Sequence, residues 1–486
     1  MKSRSKIIFI LKNISFIILL ALSVCAASFV LEDKSIVNKN KDFFEQDEDF
    51  DVLFFGSSHS ELFFNPMILW KEYGIVSYNF GNPEEGIPVS YWLMKNAIEI
   101  HKPKVIVFDV SMAGNGSTYS GEDHVHYALD SFPISIAKIE AANGLLQNTS
   151  EELSFLFNLG YNHSRWKDIS KPKNNFVKGS LSYGEYHTKG CKSFMQFPIT
   201  YETADINDDN QDIYYINKMI ELCKDKEIKL VLTANPFQCP TERQQIINSI
   251  ELLSINNNVP FVNLIKMDSI IDFNIDLYDK EHVNQSGLNK MCNYWGSYLV
   301  TNYKLQDHRS DPRYFDLWEK EYDSFKQLKY ESMWWFTDNI EEFLQMLHDK
   351  DCNVTVFVGA DSQIYSQSIN FARLIHNIGR EDITVESPEE LNSTDQMPLK
   401  HIDDCLGIEN YAVLFSRGKI IEERIGKSST QLISSICNNI DISSDDVIVI
   451  VSDYETNEIK LIRKYENSME TCENIYASIP RLYFED

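Results

Sequence analysis

The sequence predicts a three-layer α/β/α domain on a five-stranded parallel sheet, preceded by a transmembrane helix and followed by a smaller α+β domain. Three observations carry that prediction. Five short, mostly apolar runs (52–55, 76–80, 105–110, 228–234 and 261–265) alternate with helix-like stretches. Such runs suit strands buried on both faces of a sheet, with crossover helices between them. The length of 486 residues exceeds what one hydrophobic core usually serves. Near the amino end, residues 14–31 are uncharged and mostly apolar, close to the minimum for a membrane-spanning helix.

Composition narrows the partners. The chain is 43% hydrophobic and 12% aromatic, as expected of a globular protein rather than a disordered one. Acidic residues outnumber basic ones 72 to 45, for a net charge of −27. That surface repels nucleic acid and anionic lipid. The nine cysteines have no metal-ligand spacing. Several occupy helix-like apolar positions, so free buried thiols are expected in preference to disulfides.

Taken in order, the chain begins with Lys2, Arg4, Lys6 and Lys12 before the apolar run, and Glu32 and Asp33 after it. The basic flank keeps the amino end in the cytoplasm and the remainder extracytoplasmic. Residues 1–34 therefore read as a single-pass membrane anchor. A cleaved signal peptide, cut near Val24-Cys25-Ala26, is the alternative. Polar residues 35–50 read as a tether. Residues 51–305 form the first domain, with helices expected at 66–73, 89–100, 212–224 and 241–253. The carboxyl-end loops of such a sheet are where a site belongs.

Four of those loops carry polar residues: Gly56-Ser57-Ser58-His59, Gly81-Asn82, Asn235-Pro236, and the stretch with Asp279 and His282. A serine after a strand-ending glycine can act as a nucleophile when a base is positioned beside it. Asp279 and His282 are three apart, so a carboxylate can orient an imidazole within one turn. From the residues alone, Ser57 and Ser58 are both candidate hydroxyls.

Three blocks in this order resemble the SGNH/GDSL hydrolase superfamily. They are FFGSSHSELFFNP, with Gly-Ser-Ser in place of Gly-Asp-Ser, then SYNFGNPEEG, then DKEHVNQSGLNKM with its trailing Asn284 and Gly287. The likeness is to envelope-associated members, including D-alanyl-transfer and alginate O-acetylation proteins. It implies Ser58 as nucleophile, His282 as general base and acid, and Asp279 as orienting carboxylate. It implies the N–H groups of Ser58 and Gly81 as oxyanion donors. The family's Asn after the third strand is missing, because that place reads Phe108-Asp109-Val110-Ser111-Met112. Asn82 and Asn115 are the alternatives for that donor. Ser57 is expected as a turn or capping hydroxyl. His59 is a candidate substrate contact, with a helix-start histidine satisfied by its neighbours as the plainer alternative.

Residues 114–210 read as a long insertion containing His163, Arg165 and Trp166, a stretch that resembles a His-x-Arg-Trp element of related SGNH proteins. These three are expected over the active rim, as sugar contacts or as anchors of the insertion. Residues 306–335 read as a helical linker, and 336–486 as an α+β domain. Its stretches VTVFVGADSQ, NYAVLFSRGKIIEE and VIVIVSDYETNEIKL weakly resemble the interleukin-like epithelial–mesenchymal transition inducer domain, which implies a recognition role.

The resemblance implies a membrane-anchored serine esterase or O-acyltransferase acting on acyl groups of an envelope polysaccharide. No metal or organic cofactor is called for. An acylated envelope glycan is the expected substrate, and a membrane-bound O-acyltransferase system the expected partner. The alternative is a catalytically inert glycan-binding or assembly protein on the same fold.

Overall fold

The computed structural model describes residues 2–114, 122–146, 148–156, 159–167, 193–205, 210–267, 270–274, 276–335, 338–347, 352–368, 370–379, 401–416, 418–454 and 456–477. Asn115 and residues 168–192 of the insertion lie outside them.

Helix α1 (Lys2–Leu31) contains the apolar span Leu11–Leu31. Those 21 residues extend about 32 Å, long enough to cross a hydrocarbon layer of roughly 30 Å. The stretch read as a tether is not free along its length. Short helix α2 (Lys41–Glu45) carries Phe43, which stacks on Phe50 at 5.3 Å and meets Phe80 edge-on at 4.8 Å. Burying two phenyl rings is worth about 2–3 kcal/mol each, which outweighs the polarity of their neighbours in sequence.

The first domain follows. Strand β1 (Val52–Phe55) leads into α3 (Ser58–Phe63) and α4 (Pro66–Tyr73). Helix α4 starts where Asn65 Oδ1 accepts from the N–H groups of Met67 (2.9 Å) and Ile68 (3.1 Å), with Pro66 at its first position. It stops at Gly74, whose φ of +66° is left-handed. Next come β2 (Ser77–Asn79), α5 (Ile87–Ala97) and β3 (Val105–Asp109). The insertion contributes α6 (Glu122–Leu129), α7 (Ile136–Leu145), α8 (Thr149–Leu156), α9 (Leu159–Asn162) and a 3-10 turn at His163–Lys167. The domain then runs through α10 (Gln211–Asp225), β4 (Lys229–Ala234), α11 (Thr241–Asn256), β5 (Phe261–Asn263), α12 (Gln285–Tyr303) and α13 (Phe315–Trp335).

The five strands form one parallel sheet in the order β2-β1-β3-β4-β5. Successive residues point to opposite faces, and both faces are buried. Leu53, Phe55, Ile106, Phe108, Leu230 and Leu232 join one core, shared with side chains of α5, α10 and α11. Val52, Phe54, Val105, Val107, Val231 and Val262 join the other, with Leu288, Met291 and Trp295 of α12. Two strands are shorter than the apolar runs predict, because β5 gives way to a 3-10 turn at Leu264–Lys266 and β2 keeps only its centre. Between β1 and β3 the connection changes direction, and ligands of open α/β sheets bind at such a point.

The second domain holds α14 (Ile340–Met346), β6 (Cys352–Val358), α15 (Phe371–Ile378), β7 (Tyr411–Ser416), β8 (Lys419–Ile425), α16 (Lys427–Ile436), β9 (Asp446–Asp453), β10 (Ile459–Glu466) and β11 (Glu473–Ala477). Its sheet is antiparallel, in the order β11-β10-β9-β6-β7-β8. Helices α14 and α15 cover one face and α16 the other. The expected hairpin pairs β7 with β8, and β9 pairs β10 across Asn457, whose φ is +56°.

Helix α13, read as a linker, belongs to the first core by its leading half. Trp318 is fully buried, 5.4 Å from the Trp70 ring, and its Nε1–H donates to Gln46 Oε1 at 3.0 Å. Trp318→Ala should lower the unfolding free energy by about 3–5 kcal/mol in denaturant titrations of the full chain. A loss below about 1 kcal/mol would mean that α13 does not support this core.

Candidate active site

The turn that carries Ser58 is built by close approach. Gly56 has φ +143°, and a Cβ there would stand 3.0 Å from Asp109 Cβ and 3.1 Å from Asp109 O. Only glycine fits that bend between β1 and α3. Ser57 is buried and caps α3, its Oγ accepting from the His59 N–H at 3.4 Å. That leaves Ser58 at the first helical position, half-buried and facing the loop after β5. Ser58 O–H donates to His282 Nε2 at 2.8 Å.

The loop that carries the histidine is closed on itself. Leu277 bridges to Val283, and the Tyr278 N–H donates to His282 O at 3.2 Å. Asp279 Oδ1 accepts from the N–H groups of Glu281 (2.8 Å) and His282 (2.9 Å). The same carboxylate takes the His282 Nδ1–H at 2.9 and 3.0 Å. Burial pushes the Asp279 carboxyl up, but the hydrogen bonds from His282 and Glu281 outweigh it and hold it below the usual carboxylate range. An ionised Asp279 fixes the tautomer that leaves Nε2 free to accept from Ser58.

Behind this loop, buried Asp276 accepts from Ser286 Oγ at 2.6 Å and from the Asp272 N–H at 2.6 Å, and pairs with Lys290. Asn284 caps α12 by accepting from the Gly287 N–H at 3.2 Å. Gly287 is required there, since a Cβ would lie 2.5 Å from Asp276 O. Asn284 and Gly287 thus shape the loop. Asn370 and Arg373 of the second domain touch the preceding segment, at Asn274 O (3.2 Å) and Asp272 Oδ2 (3.4 Å).

The expected oxyanion donors fare differently. The Ser58 N–H has no hydrogen-bond partner among the described residues. The Gly81 N–H does not face the serine, because it donates to Asn79 Oδ1 at 2.9 Å. Gly81 is needed sterically, as a Cβ there would meet Glu61 N at 2.1 Å. Asn82 is buried with its side chain engaged on both sides, by Lys39 Nζ and by Glu85. The Gly81 N–H is thus committed, and the Asn82 amide is turned toward Lys39 and Glu85.

His59 is only 1% exposed, so it does not present a surface to substrate. Its ring stacks on Phe63, meets Phe237 edge-on at 4.7 Å and lies 5.5 Å from the His282 ring. Both ring nitrogens are buried without partners, and desolvation holds the imidazole well below its ordinary pKa, hence neutral. Asp109 and Arg243, to which the sequence assigned no role, complete this wall. Asp109 Oδ1 accepts from the Ser111 N–H (2.9 Å) and Oδ2 from the Asn235 N–H (3.1 Å), tying the ends of β3 and β4 together. Arg243 donates Nε–H to Ser111 O at 2.7 Å and lies 4.8 Å over Phe237, with no carboxylate partner among the described residues. The signal for Asp109 was a charge ending an apolar run.

The insertion residues come to a different place. Arg165 Nη1–H donates to Leu31 O at 3.1 Å, and its Nη2 lies 3.5 Å from Asp33. His163 Nδ1 bonds Gly160 O at 2.6 Å, and Trp166 is exposed. Ser58, Asp279 and His282 hydrogen bond with none of them, because the carbonyl at the end of α1 claims the guanidinium. Among the described residues no group of three or more His, Cys, Asp or Glu could hold a metal ion. No disulfide joins the eight described cysteines, and Cys191 lies outside the described residues.

No protein-family model matches this sequence, and no curated protein matches it.

Burial raises the Asp109 carboxyl to about 6. Below about pH 4 the group is protonated folded and unfolded alike. As pH rises toward 6 the unfolded chain ionises first, so Asp109 destabilises the fold, by about 3 kcal/mol above pH 6. Thermal melts from pH 4 to 7 should show Asp109→Asn gaining on the native chain by that order as pH rises. Parallel stability curves would refute the perturbed carboxyl.

Proposed function

We propose that this protein is a membrane-anchored serine esterase or O-acyltransferase of the SGNH/GDSL type, acting on O-acyl groups of an extracytoplasmic envelope glycan. The observation that carries the reading is the unbroken relay from Asp279 through His282 to Ser58 Oγ, with contacts of 2.9–3.0 and 2.8 Å. The order of the three sequence blocks supports the family, and α1 with its basic flank supports the location.

In this reading Ser58 Oγ attacks the ester carbonyl carbon while His282 Nε2 takes the hydroxyl proton. The Ser58 N–H, unpaired at the start of α3, stabilises the oxyanion. Collapse expels the sugar oxygen, which takes the proton from His282 and leaves an acyl-serine. Water or a second sugar hydroxyl then attacks the acyl carbon, with His282 again as base. Asp279 holds the imidazolium in place throughout. A membrane-bound O-acyltransferase system would supply or receive the acyl group. The second domain, which touches the loop before Asp279, has a positioning or glycan-recognition role.

The commitment of the Gly81 N–H to Asn79 gives the inert glycan-binding alternative its footing, since it removes one expected donor. A fluorophosphonate separates the two readings. It should label the native chain and not Ser58→Ala, while Asp279→Ala should reduce turnover of an acetyl ester by about 10²–10⁴. A native chain that is never labelled, or a Ser58→Ala chain labelled equally, would sink the catalytic reading. Product analysis with one acylated oligosaccharide distinguishes hydrolysis from transfer.

A further inference from the structure

The end of α1 and the insertion meet. Helix α9 and the turn His163–Lys167 contact α1. Ala27, Ser28 and Leu31 are partly covered, whereas residues 22–26 of the same helix are exposed. Arg165 completes the junction by satisfying Leu31 O. Ala27 lies four residues before the end of the apolar span at Leu31, about 6 Å along the axis. Elements that reach Ala27 therefore sit where the head groups meet the acyl chains, not above the bilayer.

The same insertion turns large apolar side chains outward. Trp166 is 64% exposed, Ile134 61%, Ile136 76% and Leu153 53%. Helix α7 buries Ala137, Ala141 and Ala142 against the domain and leaves Ile136 and Ile139, three apart on one face, in the open. Helix α7 packs on α8, α8 on α9, and α9 on α1, so these side chains belong to elements continuous with the membrane helix. Clustered exposed apolar groups mark an interaction surface. A tryptophan with an apolar body and a polar N–H suits the lipid–water boundary. With a net charge of −27, attraction to anionic lipid does not drive the contact, and apolar burial must.

We propose that α7, α8, α9 and the turn bearing Trp166 form an interfacial face that lies in the head-group layer beside α1, so that the bilayer itself is the partner. This rests on reading α1 as an uncleaved membrane anchor. In that arrangement the insertion is a second membrane contact which sets the orientation of the first domain, with Arg165 as the rivet between the two contacts.

The test uses the full chain reconstituted in phosphatidylcholine vesicles that contain a phospholipid with a diazirine high in its acyl chain. After irradiation, adducts are mapped by peptide mass spectrometry. Adducts are expected on α1 and on peptides containing residues 134–139, 153 and 163–167. Changing Ile136→Glu and Trp166→Glu together should lower the insertion adducts about five-fold or more while those on α1 persist. Adducts confined to α1 in the native chain would overturn the proposal and leave the anchor standing. Absence of adducts from α1 would refute the anchor, and the proposal with it.

Discussion

A single 2.8 Å hydrogen bond joins Ser58 to His282, residues separated by most of the first domain, and a tightly held turn fixes each side of it. On one side, Gly56 lets β1 turn sharply against Asp109, so that the serine leaves the strand on the first turn of a helix. On the other, Asp276 gathers Ser286, Lys290 and the Asp272 amide beneath the loop. The Leu277–Val283 bridge then closes the loop above them. Reactive geometry is kept within tenths of an ångström only when the supporting groups are themselves locked. Here each is locked by a contact that a larger residue would break, as at Gly56, Gly81 and Gly287.

The wall beside the serine is unusual in its charge. Asp109, Arg243 and His59 lie within one shell, yet Arg243 forms no ion pair among the described residues and His59 stays neutral. The guanidinium is instead steadied by a backbone carbonyl and an aromatic face. Such partners leave its positive charge uncancelled. In a chain with 72 acidic residues, a cation at this place offsets part of the negative field beside Ser58. His59, with nothing on either nitrogen, contributes bulk behind His282 without adding a competing charge.

The strands of the first domain were legible because burial on both faces demands largely apolar runs, and those runs ended within a residue or two of the observed strands. Asp279 and His282 were legible because a three-residue spacing in a turn leaves few other arrangements. Partners were harder to read than positions. A glycine in the second block advertises a close approach but not where its N–H points, and Asn79 rather than a substrate claims the amide of Gly81. By residue type Arg165 and Trp166 read as sugar contacts or as anchors of the insertion, and the carbonyl that Arg165 meets at the end of α1 lies far off in sequence and is visible only in space. Phe43 and Phe50 were hidden by charged neighbours. Strand β11 was hidden because a five-residue edge strand is too short to carry a periodic signal.

Lys39 reaches from the segment after α1 to Asn82, in the loop that begins with Gly81. Between Leu31 and Lys39 the chain can span at most about 28 Å, even when fully extended. That short leash limits how high the rim can ride above the end of α1. In the proposed reading, with α1 in a bilayer, Ser58 would sweep a thin layer close to the lipid, reaching the roots of a surface polymer and leaving its distal branches untouched.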